Sequence, residues 1–123
     1  MVSAQYLVGL FENNGKFEIE IIDGLPFFKV IIYNDDYKLL SYFKNQFKAG
    51  KIIERYGIKY YIISKNISTI INFFEKNKLK SKKQSICFER WRYLYNKLIS
   101  EKTFHSEKTR FRIYKRLKYF YPL

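Results

Sequence analysis

The side chains best suited to chemistry in this sequence are its lysines and arginines, more than half of which lie after residue 77. Residues 78–123 carry 14 basic and 3 acidic side chains, whereas residues 1–77 carry 10 basic and 8 acidic ones. The formal net charge of the whole chain is +13. An ordinary solvated surface mixes its charges, so this asymmetry predicts a polyanionic partner. Nucleic acid fits better than an anionic membrane surface.

Three groups of basic side chains are the candidate phosphate contacts. The group in the tail is distinctive because its cations are interleaved with aromatic side chains. Unpaired bases stack on aromatic rings, so this combination suits single-stranded or irregular RNA; the same rings could equally belong to a core. The predicted contacts are Lys78, Lys80, Lys82 and Lys83 in a loop, Arg90 and Arg92 on a helix, and Lys108, Arg110, Arg112, Lys115, Arg116 and Lys118 in the tail.

A further candidate surface is the polar face of a predicted β-sheet. Cations on such a face could contact phosphate, whereas Glu18 and Glu20 repel it, although either could accept a hydrogen bond from a cytosine amine. A nucleic-acid interface and an ordinary solvated face therefore both remain open. The side chains predicted to share this face are Lys16, Glu18, Glu20, Lys29, Lys51, Arg55, Lys59 and Tyr61.

Other kinds of chemistry find little support. The single cysteine, Cys87, excludes an internal disulfide and a cysteine-rich zinc site, and we predict that it lies in the core together with Trp91. His105 has no catalytic or ligand partner spaced beside it. No apolar run reaches the ~18 residues that a membrane span requires, and no secretory signal is predicted. We therefore expect neither a cofactor nor a membrane partner.

The elements that must position the basic residues follow from the hydrophobic periodicity. The first helix is predicted between Ser3, its N-cap, and Gly15, which is expected to end it in the left-handed conformation. Its apolar stripe is Leu7, Leu10 and Phe11. Residues 16–22 and 27–33 alternate like strands and flank an Asp-Gly turn, and residues 51–56 and 58–64 form a second hairpin around Gly57.

Three more helices complete the predicted domain. Asn34 is expected to cap the second helix and Asn66 the third, and the fourth is predicted from about residue 85 to 99. The tail is predicted as a basic helical extension over residues 100–123, although part of it alternates like a strand. The expected fold is α+β: one domain over residues 1–99, with an antiparallel sheet covered by helices on one face. The expected apolar stripes are Leu39, Leu40, Phe43 and Phe47; Ile67, Ile70, Ile71 and Phe74; and Cys87, Phe88, Trp91, Leu94, Tyr95 and Leu98.

Residues 7–15, Leu-Val-Gly-Leu-Phe-Glu-Asn-Asn-Gly, resemble the nine-residue motif of the LAGLIDADG homing endonuclease and maturase family. They match it at positions 1, 3, 4 and 9, and position 6 is conservatively acidic. Residues 39–44 and 47–52 resemble the family's second helix and its entry into the second hairpin, and residues 79–83 with Phe88 and Trp91 resemble its basic loop and following helix. The resemblance covers residues 4 to about 98. It implies an αββαββα fold and, with a single motif, pairing with a second copy.

In that family an acidic residue at motif position 8 binds the catalytic divalent cation, and here this position is Asn14. A neutral amide is a poor ligand for Mg²⁺, so the resemblance implies that cleavage collapses. Glu12 lies two positions away and does not share a helix face with Asn14. Lys83 matches the family's basic residue near the active site. In the family, the motif helices of two copies pack closely through small residues, and here Val8 and Asn13 replace two of these. Each larger side chain is expected to destabilise such a pair by about 1–3 kcal/mol. The first helix is therefore expected to pack on a different protein or on RNA.

The sequence thus favours a non-catalytic nucleic-acid-binding protein, with RNA preferred over DNA. It would be a structural component of an organellar ribonucleoprotein such as the mitochondrial ribosome, or a maturase-like protein. The alternative is an active, dimeric, Mg²⁺-dependent endonuclease that cuts double-stranded DNA, and a third possibility is a remnant without function. Codons for the abundant Lys, Ile, Asn, Phe and Tyr are rich in A and T, which predicts an organelle-encoded protein of the mitochondrial or another organellar matrix. A nuclear gene in an A/T-rich organism remains the alternative.

Overall fold

Two β-hairpins and four helices alternate along the chain in the computed structural model, which describes residues 2–23 and 25–100, apart from the side chains of residues 21, 25, 99 and 100. This order confirms the predicted α+β class. A single π-helical turn, Asn96–Ser100, follows the last helix. The elements are α1 (Ala4–Asn14), β1 (Gly15–Ile22), β2 (Leu25–Tyr33), α2 (Tyr37–Phe47), β3 (Lys51–Arg55), β4 (Ile58–Ile63), α3 (Ile67–Lys76) and α4 (Lys82–Tyr95).

The four strands form one antiparallel sheet in the order β1-β2-β4-β3, so that β2 and β4 are central. Because side chains alternate along each strand, the pairing register sorts them onto two faces. We call the face that the helices cover the core face. The opposite one is the open face, and its described side chains are Lys16, Glu18, Glu20 and Ile22; Phe27, Lys29, Ile31 and Tyr33; Lys51, Ile53 and Arg55; and Ile58, Tyr60 and Ile62.

Aromatic rings from every helix pack on the core face. Phe17 of β1 lies at the centre, with ring centroids 4.7 Å from Phe11 of α1, 5.5 Å from Phe74 of α3 and 5.1 Å from Trp91 of α4. Phe43 of α2 stacks on Tyr61 of β4. Burial of these side chains fixes the helices on the sheet, each large ring contributing roughly 1.5–3 kcal/mol.

The first helix begins and ends at the predicted residues, but Gly15 ends it for a different reason. Ser3 is the N-cap, and its Oγ accepts a hydrogen bond from the backbone N–H of Tyr6 across 3.2 Å. Gly15 is extended, with φ −100° and ψ 158°, and not left-handed as expected. A Cβ atom at Gly15 would lie 2.2 Å from Cδ2 of Phe11. The glycine therefore provides room for the Phe11 ring while the chain passes directly into β1.

Several predicted helix caps shift by a few residues. Asp36 caps α2, accepting from the N–H of Lys38, while the Asn34 side chain, two residues earlier, accepts from the N–H of Asp36. Asn66 stands at the N-cap of α3 but donates to the carbonyl of Phe47 instead of capping the helix. Ser81 caps α4, which begins at Lys82 and not near residue 85. The basic loop is therefore shorter than predicted.

Trp91 is fully buried, as predicted, whereas Cys87 is only partly buried at the edge of the core. Within residues 2–23 and 25–100, no helix has both the length and the apolar character needed to cross a membrane. The predicted extension over residues 100–123, with His105, lies outside the described residues apart from the backbone of residue 100.

Candidate nucleic-acid interface

Asn14, the last residue of α1, is held against the end of β2. Its Nδ2 atom donates a hydrogen bond to the carbonyl oxygen of Tyr33 across 2.9 Å. Only the amide nitrogen can make this contact, because a carboxylate has no proton to donate at neutral pH. The side chain at the motif's eighth position is therefore part of the link between α1 and the sheet.

Glu12 of α1 contacts the segment that precedes α4 at the same junction. One of its carboxylate oxygens accepts hydrogen bonds from the backbone N–H groups of Lys80 and Ser81, the second across 3.3 Å. Gln84 of α4 donates to the carbonyl oxygen of Gly15 across 2.8 Å. These contacts fix the α3–α4 loop and the start of α4 beside the end of α1, although the residues are about 70 positions apart in sequence.

A cavity of about 440 Å³ lies at this junction. Two cations, Lys16 and Lys83, and three amides, Asn13, Asn14 and Gln84, contribute to its lining. Lys83 and Asn14 thus line one cavity, and the role that the resemblance gives Lys83 stays a prediction. The complete described lining is Glu12, Asn13, Asn14, Gly15, Lys16, Phe17, Tyr33, Ser81, Lys83, Gln84 and Cys87.

This lining does not fit a catalytic Mg²⁺ ion. Mg²⁺ requires charged oxygen ligands in octahedral geometry. Glu12 is the one carboxylate among the described lining residues, and an oxygen of it already accepts from two backbone N–H groups. In the described part of the chain, no three His, Cys, Asp or Glu side chains converge as a metal site. The cations and amides suit a phosphate group better, since they supply hydrogen-bond donors.

The segment between α3 and α4 concentrates exposed positive charge. Lys78, Lys80, Lys82 and Lys83, which we call the basic segment, are all exposed, while Leu79 between them is buried and anchors the loop. None of these four ammonium groups makes an ion pair with another described residue. Lys82 and Lys83 also occupy the first turn of α4, where the helix dipole is already positive. Their charges are unfavourable there for stability and favourable for binding an anion.

The two predicted arginine contacts of α4 have different environments. Arg92 is half-buried, pairs with the carboxylates of Glu75 and Glu89, and lies over the ring of Phe88. Arg92 therefore stabilises the packing of α4 against α3. A phosphate would have to compete with the two carboxylates for its guanidinium group, so its predicted role in phosphate contact stays a prediction. Arg90 is partly exposed on the same helix. The predicted contacts at Lys108, Arg110, Arg112, Lys115, Arg116 and Lys118 lie outside the described residues.

The structure divides the residues that were predicted to share the polar face of the sheet. Lys16, Glu18, Glu20, Lys29, Lys51 and Arg55 lie on the open face, and Lys29 pairs there with Glu20. The predicted positions of Lys59 and Tyr61 are wrong. Tyr61 pairs with Ile32 on the core face, is fully buried, and donates from its hydroxyl to the carbonyl of Ala49 across 2.9 Å. Lys59 lies two residues before Tyr61 in β4 and therefore faces the same side of the sheet, and its ammonium group donates to the carbonyl oxygen of Asp35.

The sequence reasoning missed the apolar part of the open face. Phe27, Tyr33 and Tyr60 lie on it between the charged residues. A signal was present, because β2 and β4 are apolar at nearly every position, as in strands buried on both faces. Polar and apolar residues do not alternate in such a strand, so the sequence pattern does not show which of its side chains face the solvent.

The outer surface of α1 also differs from the expectation. Val8 is buried in the chain's own core, so it does not add bulk to the exposed face of the helix, and that part of the prediction is wrong. Asn13 and Gly9 are exposed, and a Cβ at Gly9 would meet no atom within 4 Å. The exposed row of α1 is Gln5, Tyr6, Gly9 and Asn13.

The sequence matches no protein-family model and no curated protein. Solved structures do resemble it. The LAGLIDADG meganuclease I-AabMI bound to uncleaved DNA superposes with a TM-score of 0.76 at 24% identity, over 88% of this chain and 41% of that one. An archaeal intron-encoded homing endonuclease complexed with DNA gives a TM-score of 0.76 at 21% identity, over 95% of this chain and 80% of that one.

The homing endonuclease I-TnaI gives a TM-score of 0.69 at 17% identity, and the match covers 94% of this chain and 98% of that one. This chain therefore spans less than half of I-AabMI but nearly all of I-TnaI. At these identities the likeness establishes the fold, in agreement with the motif in α1 and the order of the elements. The chain has the fold of the LAGLIDADG homing endonucleases.

Proposed function

We propose that this chain is a nucleic-acid-binding protein that does not cut its ligand. The observation that carries the proposal is Asn14, a neutral side chain whose amide nitrogen is bonded to the Tyr33 carbonyl at the position where the resembling family has its metal-binding acid. Cleavage by this family requires a divalent cation that activates water and stabilises the leaving oxygen. The hydrogen-bond donors around Asn14 suit a phosphate group better than they suit Mg²⁺.

Charge supports binding without cleavage. Lys16 and Lys83, the latter from the basic segment, line the cavity at the end of α1, and the chain carries a formal net charge of +13. Each cation placed on a phosphate releases counterions, which supplies affinity without base-specific contacts. A protein that has lost its catalytic ligand but retained this surface still binds polyanions.

The preferred ligand is RNA. The cationic and aromatic composition of the chain suits irregular RNA, whose unpaired bases can stack on rings. We infer a structural role in an organellar ribonucleoprotein such as the mitochondrial ribosome, or a maturase-like role on an intron. The exposed row of α1 would then contact another protein of that particle or a second copy of this chain.

The second candidate is an active Mg²⁺-dependent endonuclease that works as a dimer on double-stranded DNA. The observation that favours it is the fold likeness to I-AabMI and to the archaeal intron-encoded enzyme, both of which are bound to DNA. In that case Glu12 or a residue of a partner chain would have to supply the metal ligand. The two backbone N–H groups that Glu12 accepts from make it a weak candidate.

Crosslinking of the full chain in cells, followed by sequencing of the bound nucleic acid, tests the proposal. We expect RNA, either ribosomal or from one intron, and the two outcomes separate the ribonucleoprotein role from the maturase role. Recovery of a single double-stranded DNA site, with cut ends at its centre, would establish the endonuclease instead.

A further inference from the structure

The first turn of α4 carries cations where a helix favours acidic side chains. Lys82 and Lys83 open the helix, and none of the residues in its first turn is acidic. Positive charge beside the N–H end of a helix is repelled by the helix dipole. A negative charge from elsewhere in the chain would stabilise this turn, which brings Lys83 to the cavity at the end of α1.

Glu12 of α1 supplies that negative charge. One oxygen of its carboxylate accepts from the backbone N–H groups of Lys80 and Ser81, which lie 68 and 69 positions later in the sequence. Ser81 is the N-cap of α4, and its hydroxyl in turn accepts from the N–H of Gln84 across 3.1 Å. The carboxylate thus holds the two residues that immediately precede the helix, and hydrogen bonds to a charged acceptor are the stronger kind.

A reciprocal contact runs from α4 back to the end of α1. The side-chain nitrogen of Gln84 donates to the carbonyl oxygen of Gly15 across 2.8 Å and to that of Phe11 across 3.5 Å. Each helix therefore contributes a side chain that binds the backbone of the other at this junction. Together these bonds fix the start of α4, and with it the place of Lys83 in the cavity that Asn14 also lines.

We propose that Glu12 is a positioning residue for phosphate binding, although its own charge repels phosphate. It acts through the first turn of α4, which its carboxylate holds so that Lys83 and Gln84 line the cavity. The sign of its effect distinguishes this role. By charge alone, loss of an acidic side chain beside a cationic site strengthens the binding of a polyanion, whereas loss of a positioning residue weakens it. The inference rests on the proposed function and names the residue that organises its site.

The test is equilibrium binding of the full chain to a labelled, unstructured RNA oligonucleotide at several salt concentrations. Glu12→Ala removes both the charge and the acceptor oxygen. Glu12→Gln removes the same charge but retains an oxygen that can accept from the N–H groups of Lys80 and Ser81. Glu54→Ala is the charge control, because Glu54 is exposed on β3, at the opposite edge of the sheet from β1, into which α1 passes.

We expect Glu12→Ala to bind RNA about tenfold more weakly than the wild type, even though the chain becomes more positive. The slope of log affinity against log salt should fall by about 0.7 for each cation that leaves a phosphate, an effect that a general loss of stability does not produce in the folded chain. Glu12→Gln should recover most of the affinity, and Glu54→Ala should bind as tightly as the wild type or more tightly. If Glu12→Ala binds as tightly as Glu54→Ala, or if the two Glu12 variants bind equally, the inference is overturned and the proposed function stands.

Amide hydrogen exchange of the wild-type chain covers the case in which a Glu12 variant does not fold. A site that Glu12 holds in place requires the N–H groups of Lys80 and Ser81 to exchange slowly before RNA is added, because both are bonded to its carboxylate. Slow exchange without RNA supports the inference, and fast exchange that slows only with RNA overturns it. A wild-type chain that binds neither this RNA nor DNA of the same sequence would overturn the proposed function and the inference together.

Discussion

The Nδ2 atom of Asn14 lies 2.9 Å from the carbonyl oxygen of Tyr33 and donates a hydrogen bond to it. This bond connects the end of the motif helix to the end of a central strand. It also makes the amide at position 14 a structural requirement, because an aspartate there would face the carbonyl with a negative oxygen. The residue that a nuclease would need is thus one that this fold now disfavours.

Asn14→Asp should therefore destabilise the chain. We expect the free energy of unfolding to fall by about 1–2 kcal/mol, since the hydrogen bond is lost and two oxygen atoms are brought together. Urea unfolding at neutral pH measures it. Asn13→Asp is the control, because it adds the same charge at the same helix end while its own bond to the Gly9 carbonyl is exposed and longer, at 3.3 Å. Equal losses in both variants would show that charge, and not the bond to Tyr33, is responsible.

Replacement by alanine should change the stability of the chain in opposite directions at two glycines of the motif. Gly15→Ala places a Cβ 2.2 Å from the Phe11 ring and should cost about 1–3 kcal/mol through overpacking. Gly9→Ala meets open space within an exposed helix and should stabilise the chain by about 0.5–1 kcal/mol. Thermal unfolding of both variants checks the pair. A stabilised Gly15→Ala would show that the ring of Phe11 has room to move.

The basic segment should control the salt dependence of RNA binding. Lys82→Ala combined with Lys83→Ala removes two cations from the first turn of α4. We expect the slope of log affinity against log salt to fall by roughly 0.7 per cation for a single-stranded ligand. The control double variant, Lys38→Ala with Lys44→Ala, removes two exposed charges of α2. If both double variants change the slope equally, net charge and not the basic segment governs binding.

Tyr61 should make stability sensitive to alkaline pH. Burial raises the pKa of its hydroxyl above the ordinary value of 10.0. In the unfolded chain the phenol ionises near pH 10, so the stabilisation is present below that pH and declines as pH rises above it. Tyr61→Phe should lower stability at neutral pH by about 1–2 kcal/mol, because the Ala49 carbonyl loses its donor. The difference from the wild type should then shrink above pH 10 in unfolding measured across pH. A stability difference between the two proteins that stays constant above pH 10 would contradict the raised pKa of the buried Tyr61 hydroxyl.

Much of the fold was predictable because its signals are local. The stripe of Leu7 and Phe11, the cap at Ser3 and the turn at Gly57 each depend on a few neighbouring residues, and the structure has all of them. The cap of α2 was misplaced for a related reason. Asn34 and Asp36 both have side chains that accept from nearby N–H groups, and only the three-dimensional path shows which one starts the helix.

The site was less predictable because it depends on contacts between distant segments. Whether Tyr61 faces the core or solvent is decided by its pairing with Ile32, which lies on another hairpin. The bonds from Glu12 to the loop before α4, and from Asn14 to Tyr33, likewise join residues far apart in sequence. Lys83 of α4 and Asn14 of α1 likewise line one cavity, a relationship that the periodicity of either helix does not contain.

The central claim, binding without cutting, is tested most directly by incubating the purified full chain with a randomised double-stranded DNA library and Mg²⁺ or Mn²⁺, and sequencing the ends produced. We predict no sequence-specific ends from the wild-type chain under conditions in which it binds RNA. Robust cleavage at a defined site would contradict the account, because it would require a metal ligand set that the residues around Asn14 do not supply.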